Sequence, residues 1–255
     1  MKRTFLEYEK PLLTCMVQAD NPTRIKELIT RARAEGAEAF GMQFCRLKAE
    51  HRTREIYRDL FAFAAPQPTY VTNYRATRGG ENGGKSEEQL AAELLELAES
   101  GATLCDVMGD FFDPTEGELT TDPAAVKKQT ALVKALHERG AEVLMSSHVL
   151  KFTPAEQVLE IARAHQSRGA DISKIVTGAA TMAEQIENLR IVELLKRELE
   201  IPFLFLSGGE SRILRRIGGT LGNCMTLCVQ EHDAFSTKAQ PLLSDVKLLR
   251  DRLEL

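Results

Sequence analysis

Eight short apolar runs alternate strictly with eight helix-like stretches, the connections between them are short, and the chain has 255 residues. Together these predict a single α/β domain over residues 1–255, a (β/α)8 TIM barrel. Strict alternation implies parallel strands, because each return to the sheet needs a crossover helix. Eight such units in ~250 residues match a closed barrel in size and count. An open doubly wound sheet is the competing arrangement, and no G-x-G-x-x-G turn follows the first strand to support it.

Taken in order, PLLTCMV (11–17) is the first strand, and Asp20-Asn21-Pro22-Thr23 stops it and opens a helix over 23–35 that Gly36 ends. AEAFGMQF (38–44) and TYVTNY (69–74) are strands two and three, separated by a helix over 52–64 that Pro66 and Pro68 close. Ser86 with Gln89 three residues on is a capping box for the third helix, closed by Gly101. TLCDVM is strand four, and Asp122-Pro123 pairs an N-cap with an N1 proline to start a helix running to about Gly140. AEVLMSS is strand five; Thr153-Pro154 with Glu156 is expected to cap the next helix, which Gly169 ends before DISKIVTG, strand six. Thr181 with Glu184 caps a helix to about Glu200, IPFLFLS is strand seven, a short helix covers 211–218, GNCMTLCV is strand eight, and a last helix spans 241–253.

Lys and Arg total 33 against 37 Asp and Glu, a net charge of −4, which supplies no field for a polyanion and argues against nucleic-acid binding. No apolar run approaches the ~18 residues of a membrane span, and the start MKRTFLEYEKPLL has no signal-peptide pattern, so a cytoplasmic protein without membrane association is expected. The five cysteines are odd in number and scattered, as reduced, buried thiols are.

A barrel carries its active site at the carboxyl ends of its strands, which restricts the candidates. His137 and His165 lie late in helices, at surface or dipole positions, and receive no function. The rim retains Arg46, Arg75, Arg78, Asp106, Asp110, His148, Lys174, Arg216, His232, Ser236 and Gln240. Facing inward from strand six, Lys174 would sit in a dehydrated barrel near other cations, both of which lower an ammonium pKa toward the neutral amine that imine formation requires. Facing outward it would snorkel along the helix layer, and the strand pattern leaves both orientations open. His148 ends the neighbouring strand, where an imidazole could remove a proton α to an iminium; a loop histidine bonded to backbone is the plainer role.

MSSHVLKFTP followed by Lys174 in DISKI, an arginine near 216, and a closing Ser236-x-x-x-Gln240 loop resemble type I 3-dehydroquinate dehydratases, the Schiff-base barrels of the shikimate route to aromatic amino acids. The likeness spans nearly the whole chain. It implies a lyase converting 3-dehydroquinate to 3-dehydroshikimate without metal or cofactor. Lys174 would be the imine former and His148 the acid/base, with Arg46, Arg75, Arg216, Ser236 and Gln240 binding a small carboxylate substrate. Relatives of this kind are often homodimers.

The chain departs from the family's pattern in three places. Phe44 stands where Glu-x-Arg has its glutamate, Gly79 where a glutamate after Arg75 orients the histidine, and Met108 where Asp-x-Glu at strand four ends. Each lost carboxylate costs about 1 to 3 kcal/mol unless replaced; Glu81, Asp110, Glu231 and Asp233 are the candidate replacements. A different keto acid, or a barrel that binds without turning over, fits these losses. Ser207-Gly208-Gly209 with Gly218-Gly219 offers a phosphate site and a class I aldolase as another reading. Cys45, Cys105 and His148 could meet at the rim but lack zinc-ligand spacing.

Overall fold

The computed structural model describes residues 4–75, 80–209 and 212–253. Its strands are β1 (Leu12–Val17), β2 (Ala39–Gln43), β3 (Thr69–Thr72), β4 (Leu104–Met108), β5 (Glu142–His148), β6 (Ile172–Ala179), β7 (Phe203–Gly209) and β8 (Met225–Val229). They alternate with α1 (Pro22–Glu35), α2 (Arg54–Ala64), α3 (Glu87–Ser100), α4 (Pro123–His137), α5 (Ala155–Ser167), α6 (Met182–Glu198), α7 (Ile213–Leu221) and α8 (Leu243–Arg252). All ladders are parallel, in the order β7-β6-β5-β4-β3-β2-β1-β8, so the fold is a nearly closed (β/α)8 barrel.

At the seam between β7 and β8 a side chain does the work of a ladder. Asn223 accepts from Phe205 N at 2.9 Å and donates to Phe205 O at 3.0 Å, and Cys224 N donates to Phe203 O at 2.9 Å. The β8 ladder begins at Met225, opposite Leu12 of β1, later than its apolar run suggests, with Cys224 ahead of the strand.

The capping residues act as the sequence anticipates at α3 (Ser86 with Gln89), α4 (Asp122) and α6 (Thr181 with Glu184), and Asn21 caps α1. The α5 start differs. Thr153 donates to Lys151 O at 3.1 Å, and Pro154 is the N-cap residue, its carbonyl accepting from Val158 N. A proline fits this boundary because its extended backbone precedes the first helical turn.

The period-2 alternation of the strands sorts two cores. Leu12, Met16, Tyr70, Leu104, Leu144, Ile172, Val176, Leu204 and Leu227 fill the barrel, while Cys15, Phe40, Val71, Cys105, Val143, Ile175 and Phe205 face the helices. Phe5 joins the inner cluster, and Glu142 accepts from Phe5 N and Leu6 N at 2.9 and 3.2 Å, tying the segment before β1 to the barrel. Lys174 has the parity of Ile172 and Val176 and therefore points inward; His148 has the parity of Leu144 and Ser146. Register pairs Ser146 with Lys174 and His148 with Val176, so the imidazole stands one inward step above the lysine on the next strand.

Candidate active site

Lys174 is buried, and its Nζ donates to Tyr70 Oη (2.9 Å), Tyr74 Oη (2.8 Å) and Asp106 Oδ2 (3.2 Å). The cations expected around it are not these partners: a carboxylate and two phenols are. Asp106, buried on β4, accepts from Tyr74 at 2.6 Å and from Tyr70 through Oδ2, and from Ser146 Oγ at 2.6 Å through Oδ1. Burial foremost, and then the Asp106 carboxylate, push both phenols well above their ordinary pKa, so each keeps its proton and donates it to Asp106.

His148 is fixed by Glu118, in the loop between β4 and α4. Glu118 Oε2 lies 2.7 Å from His148 Nδ1 and accepts from His148 N at 3.0 Å, so one oxygen holds both ring and main chain. The Tyr74 ring stands edge-on to the imidazole, centroids 5.6 Å apart. Lys174, His148 and Tyr74 line one cavity of about 370 Å³ with Arg46, Arg215 and Gln240.

The other expected residues divide. Arg46 lines the cavity, and its buried Nε has no hydrogen-bond partner. Gln240 lines it too, with Oε1 buried and unpartnered. Arg216 does not: it lines a separate cleft with Lys10, Glu38 and Arg250. The residue in the cavity is Arg215, whose Nε donates to Ser207 O at 2.9 Å. Adjacent helical residues point ~100° apart, enough to send one arginine into the mouth and the other away from it. Burial pushes Arg215 down to about 10, which leaves it cationic at neutral pH.

Arg75 is a brace. It pairs with Glu87 at 2.7 Å and Asp110 at 2.8 Å, joining α3 to the loop after β4. Ser236 closes its own turn on Asp233, and Thr237 takes the place at the cavity. Arg78 and Gly79 lie outside the described residues.

The three departures acquire a geometry. Phe44 is buried against Tyr57 and Phe61, so the rim at the end of β2 presents Gln43, an amide. Met108 is buried in the outer core. Of the proposed replacements, Asp110 answers Arg75, Glu231 answers Arg24 and Arg31, Asp233 caps a turn, and Glu81 contributes its backbone N–H to Cys45 O. Glu118 meets the histidine instead. It escapes a periodicity reading because it sits in irregular backbone at φ 54°. Tyr70 and Tyr74 have no role assigned from the sequence; both meet Lys174 Nζ inside the barrel. His165, expected at the surface, is fully buried between Ser147 and Ser173.

Gly208 and Gly209 line the active cavity, whereas Gly219 lines the cleft beside Arg216, so the glycine pairs do not form one phosphate site. Among the described residues no three His, Cys, Asp or Glu gather as a metal site, and no helix is long and apolar enough to cross a membrane.

The family model for type I 3-dehydroquinase matches residues 14–254. The chain belongs to the type I 3-dehydroquinase family. That makes it a dehydratase by family, a carbon–oxygen lyase of the shikimate route. It is 27% identical over 204 residues to the 3-dehydroquinate dehydratase of Geobacillus thermodenitrificans, covering 77% of this chain and 73% of the relative. To that of Salmonella agona it is 30% identical over 175 residues, 68% of this chain and 62% of the relative. The fold is shared with the Geobacillus kaustophilus 3-dehydroquinate dehydratase, at TM-score 0.81 and 17% identity over 96% of this chain and 92% of that one. It is shared also with the Clostridium difficile type I enzyme, solved with covalently modified comenic acid, at TM-score 0.79 and 16% identity over 96% and 93%.

Proposed function

We propose that this chain dehydrates 3-dehydroquinate to 3-dehydroshikimate in the cytoplasm through an imine on Lys174. One observation carries the reading: Lys174 and His148 face the same cavity from adjacent strands, the histidine already oriented by Glu118. Nζ attacks the ketone carbon, and the carbinolamine oxygen leaves as water to give an iminium. Asp106, in contact with Nζ, can take the amine proton and return it to the departing oxygen, while the Tyr70 and Tyr74 hydroxyls keep their own protons and hold the carboxylate and Nζ together. His148 then removes a C2 proton, and the electron pair moves to the iminium nitrogen. The resulting enamine expels the C1 hydroxyl, which takes its proton from His148 and leaves as water. Hydrolysis of the conjugated iminium frees the lysine and the enone.

Arg215 is the carboxylate clamp in this reading, suited to it by a fixed fork of donors. Arg46 and Gln240, each with an unpartnered buried atom, bind the remaining oxygens. A second reading, the same chemistry on another keto acid, is favoured by Gln43, since the end of β2 offers an amide rather than a carboxylate to a substrate hydroxyl.

The test is turnover, followed by the enone absorbance of dehydroshikimate. Lys174→Ala should abolish it, and His148→Ala should lower it by about 10²- to 10⁴-fold, the usual contribution of a general base. Turnover of 3-dehydroquinate by Lys174→Ala would remove the imine. Inactive wild-type protein that turns over another hydroxylated keto acid would select the second reading.

A further inference from the structure

His165 is a fully buried imidazole on α5, outside the cavity, with a polar partner on each ring nitrogen. Its Nε2 lies 3.0 Å from Ser147 Oγ, and its Nδ1 lies 3.0 Å from Ser173 Oγ. These serines immediately precede His148 and Lys174 and face the helix layer as those residues face the cavity. Ser147 Oγ donates its proton to Glu118 O at 2.5 Å. The hydroxyl can therefore only accept from His165, which assigns the proton to Nε2 and makes Nδ1 the acceptor for Ser173. Burial, then the charges of Arg168 and His148, push His165 down to about 3, so the ring stays neutral.

Gly109 completes the arrangement. A Cβ there would stand 2.5 Å from Glu118 O, 2.7 Å from Ser147 Oγ and 3.0 Å from His165 Nε2, so the three linked atoms occupy the place of a side chain. The carbonyl of Gly109 accepts from Thr120 N, Gln129 Nε2 and Arg168 Nη1, and Arg168 Nη2 donates to Thr120 O at 2.6 Å. Glu118 itself has φ 54°, a left-handed conformation that is strained for a non-glycine residue and persists only when its surroundings impose it.

We propose that His165, seated against Gly109, is a positioning residue: through Ser147 it fixes the backbone of Glu118 and so sets the carboxylate that orients His148. This rests on the reading of His148 as the acid/base of the reaction, but its test does not need turnover.

The experiment is an NMR titration of His148 in the unliganded full chain with ¹³C-labelled histidine. Among the described residues, the groups facing His148 include Glu118 from the β4–α4 loop, Tyr74 beyond β3, Lys174 on β6, and Arg46 and Arg215 across the cavity. Those facing His165 are Arg168 and His148. A carboxylate beside an imidazole favours the charged form, so Glu118→Gln should lower the His148 midpoint by about one unit or more. His165→Gln and Gly109→Ala should lower it in the same direction, and Glu118→Gln/His165→Gln should match Glu118→Gln alone. Ser147→Ala breaks only the hydroxyl link and reads the same shift if His165→Gln does not fold. An unmoved His148 midpoint in folded His165→Gln or Ser147→Ala protein, or shifts that add in the double variant, would overturn the proposal. Absence of a lysine adduct with any ketone would refute the imine reading and leave this titration interpretable.

Discussion

Asp106→Asn tests how much of the barrel's stability rests on the polar cluster inside it. Asp106 is buried and accepts from three hydroxyls and from Lys174 Nζ. Removing one partner of a buried charged pair costs about 3–5 kcal/mol, because the other charge is left uncompensated. Asparagine keeps one acceptor oxygen. Turned toward the phenols and the lysine, it recovers about 1 kcal/mol of hydrogen bonding, while the Ser146 hydroxyl rotates to accept from the amide. The expected loss is thus about 2–4 kcal/mol, or about 4 to 16 °C in Tm for a domain of this size. Urea denaturation followed by circular dichroism measures it. In a Lys174→Met background the same substitution should cost less, with a coupling of about 1–3 kcal/mol. A loss under about 0.5 kcal/mol, or no coupling to Lys174, would refute the view that this carboxylate compensates a buried ammonium.

The neighbouring arginines should separate in kinetics: Arg215→Gln loses a charge-assisted contact of about 1.5–3 kcal/mol and raises KM by about 10- to 150-fold, while Arg216→Gln leaves it unchanged. Equal effects would contradict the assignment of Arg215 to the mouth. Acid stability offers an independent check on His165. Its folded pKa, near 3, lies below the unfolded value of 6.5, so the unfolded chain takes up the proton first as pH falls through 6.5, and stability declines until about pH 3. Between pH 7 and pH 5 this amounts to about 2 kcal/mol, which His165→Gln should remove from the slope of unfolding free energy against pH; an unchanged slope would show the imidazole protonating inside the fold.

The barrel was legible because each strand is a short apolar run and most helices begin with a residue whose side chain caps them. The strand pattern leaves the orientation of Lys174 open, and the register with β5 settles it as inward, beside His148. Reading by type and spacing missed placement at the cavity where it depends on a one-residue phase or on irregular backbone. Arg215 and Arg216 differ only in helical phase, and Ser236 and Thr237 only in which side of a turn they occupy. Glu118 reaches His148 from a loop whose left-handed residue has no periodic signature. The carboxylates weighed as replacements, Glu81, Asp110, Glu231 and Asp233, did not include it, although it lies in the same β4–α4 loop as Asp110. Nor does a sequence distinguish a buried histidine satisfied by two serines from one at a helix terminus. Those serines come from two different strands, and only the register brings them together.

The most direct measurement is reductive trapping. Borohydride added to the wild-type chain with 3-dehydroquinate should yield one covalent adduct, mapped by mass spectrometry to the peptide containing Lys174. His148→Ala should still trap, because imine formation precedes proton removal. Unmodified Lys174 at saturating ligand, or an adduct that survives Lys174→Ala, would contradict the mechanism.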